Sequence, residues 1–172
     1  GERQIETPMR SSRTLLALLS LALPLLCHAQ IQDPVHMTVT QENVTGSGFD
    51  LVFKAAIDRG WHVYSTRLPS GGANSTVLIC ETADGIEPEG ELQAVGKELD
   101  RFDKAFGMQL RYFENEVSFI QHFRATQSEW KLEGYLEYST CNDRICLPPS
   151  SAEFSFGGTT AVILSASEES AT

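Results

Sequence analysis

From Phe49 onward, Leu51, Phe53, Ala55 and Ile57 place an apolar side chain at every second position with mainly polar neighbours between them. A two-residue period puts alternate side chains on opposite faces of an extended chain, so this stretch predicts a strand buried on one face. No 3.6-residue apolar period follows anywhere after residue 30. The same alternation recurs at Val35, Met37 and Val39, while Trp61-His62-Val63-Tyr64 is rich in strand-favouring residues and Thr76 to Glu81 reads as another strand. Trp130, Leu132, Gly134 and Leu136 share one face of a further strand, with Lys131, Glu133, Tyr135 and Glu137 on the other, and Phe154 and Phe156 mark a last short one.

Turn residues separate these runs: Gly46-Ser47-Gly48, Asp58-Arg59-Gly60 and the Pro69 to Asn74 cluster. Met108 to Phe113 and Val117 to Arg124, joined at Glu114-Asn115, read as a hairpin. From Asp84 to Lys104 glycines and a proline interrupt charged stretches, which predicts only short edge strands and loops. Eight to ten strands without a helix make the expected class an all-β sandwich.

The start of the chain has a different character. Met9-Arg10-Ser11-Ser12-Arg13 is basic, Leu15 to Leu26 is apolar but too short to span a bilayer, and Cys27-His28-Ala29 ends in a small residue. This is the order of a secretory signal peptide, expected over residues 9–29 and cleaved after Ala29. Leu26 ahead of Cys27 disfavours lipidation of that cysteine. Residues 1–8 are read as upstream sequence, 30–157 as one domain and 158–172 as a flexible tail.

A formal net charge of −10 over 172 residues excludes binding to nucleic acid or anionic lipid by charge. The domain itself is not expected to insert in a membrane. Electrostatic steering would favour a basic partner.

Export implies an oxidising compartment, and Cys80, Cys141 and Cys146 then remain. Three cysteines cannot all pair within one chain. Cys141 and Cys146 are close enough to close a small ring, leaving Cys80, read here as a small buried hydrophobe in its strand. As a structural staple, so short a loop contributes on the order of 2 kcal/mol. As a reactive dithiol, the pair would have Arg144 favouring a thiolate and Asp143 opposing it, and Pro148-Pro149 would leave the second sulfur near an open edge. Spacing alone leaves staple and active site evenly balanced. A metal site lacks a second Cys/His pair at ligand spacing, so none is expected. His36, His62 and His122 read as ordinary strand histidines.

The segment Tyr135-Leu136-Glu137-Tyr138-Ser139-Thr140-Cys141-Asn142-Asp143-Arg144-Ile145-Cys146-Leu147-Pro148-Pro149 resembles the active-site segment of the N-terminal periplasmic domain of bacterial thiol:disulfide interchange proteins of the DsbD family. Phe102-Asp103-Lys104-Ala105-Phe106-Gly107 with Met108 to Phe113 is similar to that family's cap loop and following strand, and Gly60 to Ser65 is a weaker third match. The resemblance implies an immunoglobulin-like β-sandwich with no cofactor beyond a redox-active Cys141–Cys146 disulfide. It implies a thiol:disulfide oxidoreductase component that takes electrons from a membrane-embedded donor domain and gives them to periplasmic thioredoxin-like proteins. By the same carry-over Cys146 forms the mixed disulfide with a partner, Cys141 resolves it, Phe106 caps the pair on a loop ending at Gly107, and Asp103 is the acidic neighbour. The chain departs from the family in its shorter spacer between the cysteines and in Lys104, where an acidic residue is usual. The rival reading is a secreted β-sandwich binding domain with a structural disulfide.

Overall fold

The computed structural model describes residues 32–159, so the expected signal peptide, Cys27 and the end of the tail lie outside the described residues. Within them the chain forms eleven strands and no helix. These are β1 (Val35–Glu42), β2 (Gly48–Ile57), β3 (Trp61–Tyr64), β4 (Val77–Asp84), β5 (Ile86–Val95) and β6 (Glu98–Asp103). They continue with β7 (Met108–Phe113), β8 (Glu116–Ala125), β9 (Glu129–Tyr138), β10 (Thr140–Asn142) and β11 (Ser150–Thr159).

Three antiparallel sheets result, with strand orders β1-β2-β8-β5, β10-β3-β7-β6 and β11-β9-β4. The alternation that predicted β2 is the reason for the packing. Phe49, Leu51, Phe53, Ala55 and Ile57 are all buried, and beside them β8 buries Val117, Phe119 and Phe123. This apolar face meets the other two sheets. Phe53 stacks edge-on to Phe154 at 5.8 Å and Phe49 lies 5.2 Å from Trp130, both on the β11-β9-β4 sheet, while Phe119 meets Phe113 of β7 at 6.2 Å. Each such fully buried phenylalanine is worth about 1.5–3 kcal/mol of transfer free energy.

Three expectations are corrected. The first is the hairpin: β7 and β8 do not pair, because β7 bonds to β3 and β6 while β8 bonds to β2 and β5. The Glu114-Asn115 turn, with Asn115 at φ 67°, carries the chain between layers, so Phe113 and Phe119 can face each other across the core. The second is the weak stretch, where β5 is ten residues long rather than short. It lies at a sheet edge with a register shift between Glu89 and Gln93, which breaks its alternation. The third is Cys80, which is exposed rather than buried. It lies on an edge strand that has no fully buried residue, and burial raises its thiol pKa only by partial desolvation.

Candidate functional site

β9 ends at Tyr138 in one sheet, and the chain passes across Ser139 directly into β10 of another. β10 then pairs with β3, setting Thr140 opposite Val63, Cys141 opposite His62 and Asn142 opposite Trp61. The chain turns at Asp143-Arg144 and returns, so that Cys146 stands opposite Cys141. Two backbone bonds flank that pair, Asn142 N–H to Ile145 O at 2.9 Å and Leu147 N–H to Thr140 O at 3.0 Å. The cysteines therefore occupy a non-hydrogen-bonded cross-strand position, where side chains are closest. Their Cα atoms are 4.0 Å apart and the sulfurs are joined in a disulfide.

The turn has its own cause in the sequence. Asn142 Oδ1 accepts the N–H groups of Arg144 and Ile145, each at 2.8 Å, an Asx turn that substitutes a side-chain carbonyl for a backbone one. Asp143 and Arg144 are both exposed at its tip.

Burial divides the two sulfurs. Cys141 is 2% exposed and packs with Tyr64, Ala73 and Leu110, whereas Cys146 is exposed beside exposed Ile145. One face of the disulfide is thus open to a macromolecule and the other is closed.

The loop from Asp103 to Gly107 stands over the same sheet. Asp103 is buried, and its carboxylate is fully engaged. Oδ2 accepts the Tyr64 hydroxyl at 2.5 Å, and Oδ1 accepts the N–H groups of Ala105 at 2.8 Å and Phe106 at 3.3 Å. Gly107, in the left-handed region at φ 67°, closes the turn by donating its N–H to Asp103 O at 2.8 Å; a side chain there would be strained. Asp103 is in this way the peg that pins the loop to the sheet through Tyr64. The Phe106 ring rests edge-on against Tyr64 at 6.1 Å. Phe106 remains 36% exposed, so its ring is only partly enclosed.

Two residues absent from the sequence-based site belong to it. Tyr64 is fully buried, and its hydroxyl pKa is pushed far up by burial and then by the bond to Asp103, so it donates and does not ionise. His62, an expected strand histidine, lies on β3 and stands opposite Cys141 in the β3–β10 register. Its ring lies 4.3 Å from Tyr112 and 5.0 Å from Tyr64. Only periodicity could have found it: His62 and Tyr64, two apart, share a strand face. His36 and His122 pair with Asp58 and Asp50 at the surface, at 3.1 and 2.7 Å.

Between the loop and the cysteine hairpin lies a cleft of about 200 Å³ lined by His62, Phe102, Asp103, Lys104, Ala105, Tyr112, Asn142 and Asp143. Among the described residues no group of His, Cys, Asp and Glu is placed to hold a metal ion.

Residues 30–157 match the family model described as thiol:disulfide interchange protein DsbD, N-terminal. Among solved structures, the chain is similar to the DsbD N-terminal domain of Neisseria meningitidis in its reduced form, at 24% identity and a TM-score of 0.46, over 70% of this chain and 85% of that one. It is also similar to the N-terminal periplasmic domain of ScsB from Proteus mirabilis, at 14% identity and a TM-score of 0.51, over 74% of this chain and 47% of that one. The second likeness is one of fold. No match is found among curated proteins.

Proposed function

This chain belongs to the family of N-terminal domains of the thiol:disulfide interchange protein DsbD, and has their immunoglobulin-like all-β fold; from that premise we propose that it relays reducing equivalents in the periplasm. A membrane-embedded donor domain would reduce the Cys141–Cys146 disulfide, and the dithiol would pass the electrons to thioredoxin-like proteins. The observation that carries this reading is the asymmetry of the pair, with Cys141 at 2% exposure and Cys146 open.

Thiol–disulfide exchange requires a thiolate in line with a sulfur it can reach. Cys146 is the sulfur a partner can reach. Its thiolate attacks one sulfur of the partner's disulfide, forming a mixed disulfide and releasing the partner's second sulfur as a thiolate. Cys141 then loses its proton and attacks Cys146 Sγ. The Cys141–Cys146 bond forms, the bond to the partner breaks, and the partner leaves as a dithiol carrying two electrons and, from solvent, two protons. Reduction by the donor runs the same steps in reverse.

Exposed Ile145 beside Cys146 and exposed Phe102 on the cleft wall offer apolar surface for docking, and the acidic chain steers basic surfaces toward it. The ScsB domain is described as periplasmic, and the signal peptide proposed for residues 9–29 is in keeping with that compartment.

The test is electron transfer from the purified dithiol form to an oxidised thioredoxin-like protein, followed by thiol counting. Transfer is expected in the parent and lost in Cys146→Ser; unchanged transfer in that variant would overturn the assignment. The rival reading, a binding domain with a structural disulfide, predicts instead a reduction potential below about −300 mV.

A further inference from the structure

We propose that His62 is the proton acceptor and donor for Cys141, because the register that pairs β3 with β10 sets its imidazole on the sheet face that carries the buried sulfur. The inference rests on the redox reading of the pair and assigns the step that reading leaves open: how a sulfur with 2% exposure loses and regains its proton.

Directly opposed residues of an antiparallel pair project to the same side with Cβ atoms about 4.5–5.5 Å apart, and Cys141 and His62 are such a pair. The imidazole is itself enclosed, with a side-chain exposure of 12%, and its buried Nε2 has no hydrogen-bond partner. Other groups near the sulfur are already committed. Both oxygens of Asp103 are occupied by the Tyr64 hydroxyl and by the N–H groups of Ala105 and Phe106. Tyr64 of β3 and Tyr112 of β7 have raised pKa values, in both cases chiefly through burial, and cannot take up a proton.

His62 is held below its ordinary value by burial, against the weaker opposing pull of Asp103 on β6, Glu114 after β7 and Asp143 in the cysteine hairpin. Lys104 stands on the cleft wall. The imidazole is therefore neutral at pH 7 and ready to act as a base, and once protonated it has the Asp103 carboxylate 4.0 Å from Nε2. The cleft that His62 helps to line is its route to solvent.

During resolution the Cys141 S–H bond breaks and its proton moves to the imidazole. The thiolate attacks Cys146 Sγ, the partner sulfur departs with the electron pair of its bond to Cys146, and the imidazolium gives its proton to solvent in the cleft. In the reverse direction the donor thiolate bonds to Cys146 and Cys141 leaves as a buried thiolate. That charge raises the proton affinity of His62, which takes a proton from the cleft and passes it to Cys141.

The experiment uses the reduced full chain carrying Cys27→Ser and Cys80→Ser, mixed with the aromatic disulfide DTNB. The first thionitrobenzoate released reports attack by Cys146, and the second reports attack by Cys141. In this parent the second rate is expected to rise with pH through an inflection below 6.5 and then to level off. His62→Gln should slow the second phase at pH 7 by about tenfold or more and move its inflection to the thiol range near 8.5, with the first phase within about twofold of the parent.

A parent profile that inflects only in the thiol range would overturn the proposal, whether or not the variant folds. So would a folded His62→Gln protein with the parent's second rate. Absence of any second release from the parent would instead overturn the redox reading itself.

Discussion

At the residue scale the site is a matter of who is covered. Cys141, Tyr64 and Asp103 are buried while Cys146 is open, and Phe106 leans on Tyr64 from the loop that Asp103 ties down. Phe106→Ala removes that ring without touching the pegging bonds. The dithiol form of this variant should react several-fold faster with a small disulfide, measured as the first thionitrobenzoate phase; equal rates would take the cap out of the mechanism. The Cys141–Cys146 pairing was legible in the sequence because both cysteines sit in one short segment, whereas their order of roles and the part given to Asp103 came from the family resemblance and not from spacing. His62 was not legible, because its meaning lies in a pairing between residues far apart in the chain. Cys80 misled for a related reason: alternation reports which side of a strand a residue takes, and says nothing about whether that side is covered.

At the scale of elements, strands carry the site by where their backbones approach. Gly134 of β9 lies opposite Cys80, beside a register shift in β4, and a Cβ there would come within 2.0 Å of Ile79 O. Backbone cannot yield as a flexible side chain would. Gly134→Ala should lower stability by about 1–3 kcal/mol, read as a shift in denaturant midpoint, while molecules that remain folded exchange disulfides at the parent rate. A second irregularity lies beside a buried polar residue. Gln121, on the inward face of β8, has its two amide N–H groups shared among the carbonyls of Glu89, Gly90 and His122, the first two at the start of the register shift in β5. The strands with clean alternation, β2 and β9, were legible in the sequence; β5 was obscured by this interruption. The Glu114-Asn115 turn shows the limit of local reading, since two adjacent strands joined by a tight turn look alike whether they pair or cross between layers.

At the scale of the molecule, ionisation bounds the pH range of the fold. In the disulfide form His62 has a pKa below 6.5 through burial, so below that value the unfolded chain binds a proton that the native one refuses. Its contribution to stability is complete above 6.5 and is lost as pH falls through the folded value. Asp50, held low by the side-chain bonds from Asn43 and then His122, adds a second loss at more acidic pH by the same sign. Tyr64 and Tyr112 act oppositely, because their raised values withdraw stability as pH rises above about 10. Melting temperature plotted against pH should form a plateau between these limits, and His62→Gln should lose the step nearest neutrality while keeping the other two. The hairpin that carries the cysteines has a further consequence. Its register is held by the Asx bonds of Asn142 and by two backbone bonds as well as by the S–S bond, so a reduced hairpin that keeps them would hold its two thiols side by side. Each would then be present to the other at a very high effective molarity, so in the proposed relay the buried thiol would outcompete a bound partner and the covalent complex would be brief.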